Sequence, residues 1–134
     1  MKNILLLEDL PEIRAWLKVL INQVFPDAQI SESARVHDAL GLVSALKFDL
    51  ALVDLGLPDG SGVDVVASLR EHQPECQSVV VTIHDDDEHL FPALQAGAFG
   101  YVLKEQAREL IAEQLSRMSQ GEPPLSPSIA RRVI

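Results

Sequence analysis

The chain has 134 residues, 47% of them hydrophobic, which fits one domain with a single core. Its formal net charge of −9 argues against direct binding of nucleic acid or an anionic membrane by this segment, and favours a cation or a basic partner surface. Cys76 is the only cysteine, so no internal disulfide can form and a cytoplasmic location is expected. Glu8 and Asp9 interrupt the first apolar run too early for a signal peptide, and no apolar stretch reaches the length of a membrane span.

Short apolar runs alternate with amphipathic segments along the chain. The runs predict strands at 3–7, 28–33, 49–54, 78–83 and 101–103. The amphipathic segments predict helices from about Pro11 to Val24 and at 36–46, 63–71, 90–96 and 106–118, with the start of the fourth left open by Pro92. This alternation predicts an α/β fold, a parallel sheet with helices on both faces.

Polar residues fall where the predicted strands end. Asp9, Asp54, Thr82 and Lys104 each lie at or just past the carboxyl end of a different strand. All those ends share one edge of a parallel sheet, which is where open α/β sheets bind their ligands. The four positions are therefore predicted to form one site.

The residue types indicate phosphoryl chemistry. Carboxylates of Glu8, Asp9 and Asp54 repel one another unless a cation is bound, and Mg²⁺ accepts carboxylate, carbonyl and water oxygens. Lys104 adds a cation suited to phosphate, and Thr82 adds a hydroxyl donor. An aspartate in these surroundings is arranged to attack phosphorus.

These residues resemble the receiver domain of two-component response regulators. The resemblance rests on E-D at 8–9, D-x-x-L-P-x-x-x-G at 54–62, T at 82 and G-Y-V-L-K at 100–104, and covers about residues 1–120. It implies a doubly wound, flavodoxin-like fold of five parallel strands in the order 2-1-3-4-5.

The resemblance also implies roles for the residues that match. Asp54 would accept phosphoryl from a histidine kinase. Asp9 would ligate Mg²⁺ directly, Glu8 would act through water, and Gly56 would offer its backbone carbonyl to the metal.

A second group of residues would form the switch. Lys104 and Thr82 would hold phosphoryl oxygens, and Tyr101 would turn inward after Thr82 moves. The output surface would be formed by 90–96, 101–104 and 106–118. Phosphorylation-dependent dimerisation is a further expectation.

Ile83 departs from the family pattern, which usually has a small residue after the Thr. A β-branched side chain there could narrow the path of water to an acyl phosphate. We predict slow self-dephosphorylation.

Each candidate also has an ordinary structural interpretation. Asp54 alone could be a loop carboxylate, and Asp9 could cap the helix that starts at Pro11. Lys104 alone could be a solvated surface residue, and Tyr101 could be ordinary core. Their combination favours the functional interpretation of the group.

The run from His84 to His89, H-D-D-D-E-H, offers metal-ligating side chains. We interpret it as a solvated charge cluster favoured by the N-terminus of the following helix, with metal binding as the alternative. Cys76 is interpreted as a loop residue, and His37 and His72 as helix residues without a special role.

A Gly-Glu-Pro-Pro stretch at 121–124 breaks the helical pattern, so residues 1–120 are predicted to form the receiver and 121–134 a linker. Ser126 and Pro127 then favour the start of a new helix, which has no C-cap before Ile134. L-S-P-S-I-A-R-R at 125–132 resembles the linker of nitrate-response and quorum-sensing-type regulators, and implies a C-terminal helix-turn-helix output domain outside this sequence. A disordered basic tail is the alternative.

Two other functions compete with a phosphorylation switch. A Mg²⁺-dependent phosphatase would also use an aspartate nucleophile, but it needs a second aspartate where this chain has Gly56, and a cap domain for which there is no room. A receiver that signals without phosphorylation would not need Asp9, Asp54, Thr82 and Lys104 together.

Overall fold

The computed structural model describes residues 1–133. Its strands are β1 (Asn3–Leu7), β2 (Gln29–Ser33), β3 (Leu50–Val53), β4 (Gly56–Leu57), β5 (Gly60–Ser61), β6 (Gln77–Thr82) and β7 (Gly100–Leu103). Its helices are α1 (Pro11–Val24), α2 (Val36–Ala45), α3 (Val63–His72), α4 (Asp87–Ala96), α5 (Arg108–Ser116), a 3₁₀ turn (Arg117–Gln120) and α6 (Pro127–Val133). No helix within residues 1–133 is both long and apolar enough to cross a membrane.

The main sheet is parallel and has the order β2-β1-β3-β6-β7. Counting only its five strands, this is the expected order 2-1-3-4-5. The small hairpin β4-β5 was not predicted, because each of its strands has only two residues. It forms the loop that follows Asp54.

Two apolar layers cover the sheet because alternate strand residues face opposite sides. Leu5 and Leu7 pack with α2, α3 and α4, whereas Ile4 and Leu6 pack with α1 and α5. Strands β1, β3 and β6 are buried on both faces, which explains their continuous apolar sequence. Rigid central strands therefore support the polar residues at their ends.

Helix α4 begins at Asp87, three residues before the predicted start at Leu90. Pro92 lies inside it, where a proline removes one backbone hydrogen bond. The Asp-Asp-Glu sequence before Leu90 suits the positive end of a helix, so the helix extends back through it.

The segment after the 3₁₀ turn packs against the domain. Leu125 forms a parallel bridge with Tyr101 at the free edge of β7, and Ile129 on α6 is fully buried. The helical prediction for this segment is therefore confirmed from Pro127 to Val133, and Ile134 lies outside the described residues.

Candidate phosphoryl-acceptor site

Asp54 lies immediately after β3 and is only 7% exposed. Its amide donates to the Leu7 carbonyl (3.0 Å), and its Oδ1 accepts the Leu55 amide (2.7 Å). These bonds fix the main chain at the strand end and orient one carboxylate oxygen. The other oxygen, Oδ2, is free of the backbone and lies 2.8 Å from Lys104 Nζ.

Glu8 and Lys104 complete a buried charge cluster with Asp54. Lys104 Nζ also lies 2.6 Å from Glu8 Oε1, and the side chains of Lys104 and Glu8 are 8% and 1% exposed. The position of Nζ relative to Oε1 does not have hydrogen-bond geometry, so this buried oxygen lacks a hydrogen-bond partner. The ion pair with Lys104 offsets part of the cost of burying this oxygen, and its remaining lone pair can accept a water bound to a cation.

Burial sets the charge balance of the cluster. Desolvation, with the charge of Asp54, raises the pKa of Glu8 above its ordinary value, although Lys104 opposes this. Burial alone would lower the pKa of Lys104, but its bonds to Asp54 and Glu8 outweigh that effect and raise it. The ammonium is therefore held charged between two carboxylates.

Asp9 adds a third carboxylate to the same edge. One oxygen each from Glu8, Asp9 and Asp54 lie within 4.8 Å of one another. With all three carboxylates ionised and Lys104 charged, these four groups carry two net negative charges. One divalent ion would balance them. Three carboxylates that offer hard oxygen donors at one edge of the sheet fit Mg²⁺. Asp9 does not cap α1: the N-cap is Leu10, and the cap makes no side-chain hydrogen bond.

Thr82 and Lys104 are placed side by side by the pairing of β6 with β7. The Lys104 amide donates to the Thr82 carbonyl (2.9 Å), and Thr82 is fully buried. Its hydroxyl oxygen accepts the His84 amide at 3.3 Å. Ile83 lies between Thr82 and His84 in the sequence. It is 71% exposed, so its side chain extends into solvent beside the site.

Tyr101 is fully buried in β7, and its hydroxyl donates to the His84 carbonyl at 2.6 Å. Burial raises the pKa of this phenol, so it remains a neutral donor. His84, in the loop that follows Thr82, is thus bonded twice: its amide to the Thr82 hydroxyl and its carbonyl to the Tyr101 hydroxyl. This arrangement connects the strand end at Thr82 to the outer edge of the sheet.

Gly56 and Gly62 shape the loop around Asp54. Gly56 follows Asp54 by two residues and is exposed in β4. A Cβ at Gly62 would lie 1.9 Å from the Asp54 carbonyl oxygen and 2.6 Å from a methyl of Val53. The loop can pass this close to Asp54 only because residue 62 has no side chain.

Sequence reasoning missed Asp59, whose carboxylate accepts the amides of Val36 (2.8 Å) and His37 (3.0 Å) at the start of α2. These bonds lower the pKa of Asp59. The Pro-Asp-Gly turn signal was visible, but it could not identify a partner 23 residues away. Asp59 ties the site loop to α2.

Comparison with known proteins agrees with this geometry. A family model described as the response regulator receiver domain matches residues 4–116. The nitrate/nitrite response regulator protein NarL of Escherichia coli K12 is 31% identical over 127 residues, which cover 95% of this chain and 59% of NarL. The chain thus spans about three fifths of that relative.

Two solved structures have the same fold. A two-component response regulator of the LuxR family from Aurantimonas sp. SI85-9A1 has a TM-score of 0.85 and 26% identity over 98% of this chain and 94% of that one. The isolated receiver domain of Salmonella enterica RcsB, solved with the phosphomimetic BeF3⁻, has a TM-score of 0.83 and 19% identity over 97% and 96% of the two chains. The chain belongs to the receiver domain family of two-component response regulators.

Proposed function

We propose that Asp54 is the phosphoacceptor of this receiver and takes a phosphoryl group from the phosphohistidine of a histidine kinase. The observation that carries the proposal is the contact of Asp54 Oδ2 with Lys104 Nζ at 2.8 Å, beside two further carboxylates on the same sheet edge. Glu8 is also buried beside Lys104, but Asp54 is the one of the two that lies at the end of the central strand β3 with one oxygen held by the backbone and the other directed at the ammonium.

Three side chains and one carbonyl would hold Mg²⁺. Asp9 and Asp54 would bind it directly, Glu8 through water, and Gly56 through its backbone carbonyl. A bound Mg²⁺ would neutralise charge on the phosphoryl oxygens and help to align them for transfer. Burial raises the pKa of Glu8, and a bound cation would oppose that shift by favouring the ionised carboxylate.

In the transfer step, Asp54 Oδ2 attacks phosphorus as the P–N bond to the kinase imidazole breaks, and the electron pair of that bond returns to the imidazole. Lys104 is displaced from Asp54 Oδ2 and instead contacts a phosphoryl oxygen. The buried ammonium thus stabilises the carboxylate before transfer and the phosphoryl charge after it. Hydrolysis of the acyl phosphate regenerates Asp54.

Thr82 and Tyr101 would transmit the change. A phosphoryl oxygen attracts the Thr82 hydroxyl, which then gives up its bond from the His84 amide. The loop that Tyr101 holds through the His84 carbonyl can then rearrange. The surface formed by α4, β7 and α5 would respond, and Ile83 would limit water access to the acyl phosphate.

The segment at 121–134 would lead to a helix-turn-helix output domain, so that the full protein controls transcription in the cytoplasm. The similarity to NarL, which covers 95% of this chain, supports this. We also propose that phosphorylation promotes a homodimer. Sedimentation velocity with and without a phosphate mimic tests it, and an unchanged mass in both states would refute the dimer.

Intact-mass measurement after incubation with Mg²⁺ and acetyl phosphate tests the proposed function. We expect one phosphoryl adduct, mapped to Asp54, that is absent in Asp54→Asn and without Mg²⁺. Asp64→Asn, which makes the same change at an exposed helix position, should still form it.

Other outcomes would point elsewhere. Rapid turnover of phosphomonoesters would indicate a phosphatase. Absence of any adduct would indicate a receiver that signals by interaction alone. An adduct that survives Asp54→Asn would place the acceptor at another residue.

A further inference from the structure

The structure brings together His84, Asp86 and His89, which the sequence places in a run of polar residues before and within the first turn of α4. One ligating atom from each of the three lies within 4.8 Å of the others. The two imidazole rings are stacked with centroids 4.0 Å apart and planes 5° from parallel. The charge cluster expected from the sequence therefore contains a compact set of two nitrogen ligands and one oxygen ligand.

We propose that His84, Asp86 and His89 form a second cation site, selective for Zn²⁺-type divalent ions. Two imidazoles and one carboxylate are the donor set that suits Zn²⁺, whereas Mg²⁺ prefers oxygen donors alone. Three protein ligands would leave a fourth position for water. Its ligands are a different set from the carboxylates of Glu8, Asp9 and Asp54, although His84 borders the acidic site: a Cβ at Gly56 would lie 3.4 Å from His84 Nε2.

Asp86 and His89 already lie in contact within the cluster. Both oxygens of Asp86 lie 2.8 Å from His89 Nδ1. An ion bound by both residues would take the place of the proton shared between the carboxylate and Nδ1, since a carboxylate bonded there cannot also reach the other ring nitrogen.

The side chains have room to close around an ion. Ligands about 2.0–2.2 Å from a tetrahedral metal lie about 3.4 Å apart, so the three atoms must approach by roughly 1 Å. The side chains of His89 and Asp86 are 41% and 47% exposed, and His84 is half-buried. Because the rings are stacked face to face, at least one imidazole must rotate out of the stack before both nitrogen lone pairs can point at one ion. The exposure of these side chains leaves room for that rotation without movement of the core.

Electrostatics also permit a cation here. The N-terminus of α4 contributes about half a positive charge, and Arg132 adds one where it bonds to Asp87 and to the Asp85 carbonyl. Four consecutive carboxylates, Asp85 to Glu88, outweigh both. The local charge remains negative, so the helix end does not exclude a cation.

Titration of Zn²⁺ by calorimetry, with Mg²⁺ in saturating amounts, tests the proposal. We expect one saturable site. His84→Gln and His89→Gln should each weaken the affinity for Zn²⁺ at least about 10-fold, and Asp86→Asn should do so by about 10- to 100-fold.

The chain offers matched controls for each change. His37→Gln/His72→Gln removes the two histidines outside the cluster, and Asp85→Asn removes a neighbouring carboxylate that is not one of the three ligands. Both controls should leave the affinity within about two-fold of the parent. Thermal unfolding without Zn²⁺ confirms that each variant is folded.

Side-chain NMR of the imidazoles locates the ion. Zn²⁺ should shift the ring signals of His84 and His89 and leave those of His37 and His72 in place. The proposal fails if no saturable binding occurs, if His84→Gln/His89→Gln binds as well as the parent, or if the His37→Gln/His72→Gln control loses equal affinity. It also fails if Asp54→Asn abolishes Zn²⁺ binding, because the ion would then belong to the acidic site.

Discussion

At the scale of single residues, the site depends on groups that touch Asp54 as much as on Asp54 itself. Lys104 lies 2.6 Å from Glu8 and 2.8 Å from Asp54, between two buried carboxylates, and Gly62 allows the loop to pass against the Asp54 carbonyl. Neither effect follows from local propensity. The first depends on the contact of Lys104 with Glu8 and Asp54, which are far from it in sequence. The second depends on the close approach of Gly62 to Asp54 across a turn.

Gly62→Ala is expected to lower the free energy of unfolding by about 3 kcal/mol and to slow phosphorylation of Asp54. A Cβ at residue 62 would lie 1.9 Å from the Asp54 carbonyl oxygen, so the backbone on both sides must move. Urea unfolding and the rate of adduct formation with acetyl phosphate measure the two effects.

Gly41→Ala is the control for that change. Its Cβ would have no heavy atom within 4 Å and would lie inside α2, so we expect a gain of about 0.5–1 kcal/mol and unchanged phosphorylation. Equal stability of the Gly62→Ala variant and the parent would contradict the steric argument.

Ile83→Ala is expected to shorten the lifetime of the acyl phosphate several-fold without changing stability by more than about 0.5 kcal/mol. Ile83 is 71% exposed and follows Thr82 directly, so its removal opens a path for water while leaving the core intact. Loss of the adduct, followed by mass after the phosphodonor is removed, measures the lifetime. A variant that loses phosphate no faster than the parent would show that Ile83 does not shield the site.

At the scale of secondary structure, the sequence predicted elements but not the contacts between their ends. Alternating apolar runs predicted the parallel sheet, and polar residues at strand ends predicted that Asp9, Asp54, Thr82 and Lys104 share one edge. The bond from Asp59 to α2 and the docking of Leu125 on β7 could not be read from periodicity, because each joins segments more than 20 residues apart. Tertiary structure supplies those pairings.

Asp49 anchors the start of β1 through its Oδ2, which accepts the amides of Asn3 (2.9 Å) and Lys2 (2.8 Å). These bonds lower the pKa of Asp49 from its ordinary value of 3.8. A lowered pKa in the folded state stabilises the protein above pH 3.8, and the stabilisation is lost as the pH falls from 3.8 through the lower pKa of the folded state.

Asp49→Asn is therefore expected to cost about 1 kcal/mol near neutral pH and progressively less as the pH falls below 3.8. Urea unfolding of variant and parent over this pH range measures the difference. Asp27→Asn, at an exposed position after α1, should show no such trend. A cost that does not depend on pH would mean that the charge of Asp49 is not what anchors β1.

The segment after α5 behaves as part of the domain. Tyr101 donates its amide to the Pro124 carbonyl (2.9 Å), and Leu103 donates to the Ser126 hydroxyl (2.8 Å). A Cβ at Gly100 would lie 2.6 Å from Pro124, so glycine permits the close approach. The edge of β7 is thus paired by residues 124–126.

Ile129→Ala should destabilise this contact by about 2 kcal/mol, because Ile129 is fully buried against the domain. Hydrogen exchange of the Tyr101 amide should quicken in parallel, since its acceptor lies in the same segment. Ser128→Ala changes an exposed neighbour and should leave exchange within experimental error. Unchanged protection of Tyr101 in Ile129→Ala would show that the segment docks without α6.

At the scale of the whole molecule, charge decides how the domain responds to ions. A net charge of −9 in 134 residues favours any added cation through general screening, so stabilisation by salt alone says nothing about a site. The cluster of Glu8, Asp9 and Asp54 concentrates part of that charge within a few ångströms. A site-bound ion must therefore be distinguished from an ion atmosphere.

We expect MgCl2 to raise the free energy of unfolding by more than NaCl at equal ionic strength. A single site contributes about 1.4 kcal/mol when the free ion is present at ten times its Kd, whereas screening depends only on ionic strength. Asp9→Asn and Asp54→Asn should each remove the additional stabilisation by MgCl2 over NaCl. Both variants should keep the stabilisation that the two salts share, because either change alters the net charge only from −9 to −8. Asp64→Asn alters the net charge equally at an exposed position in the first turn of α3 and should keep both components. Equal responses of the parent to the two salts would mean that the acidic edge of the sheet holds no specific divalent ion, and the mechanism proposed for Asp54 would lose its metal.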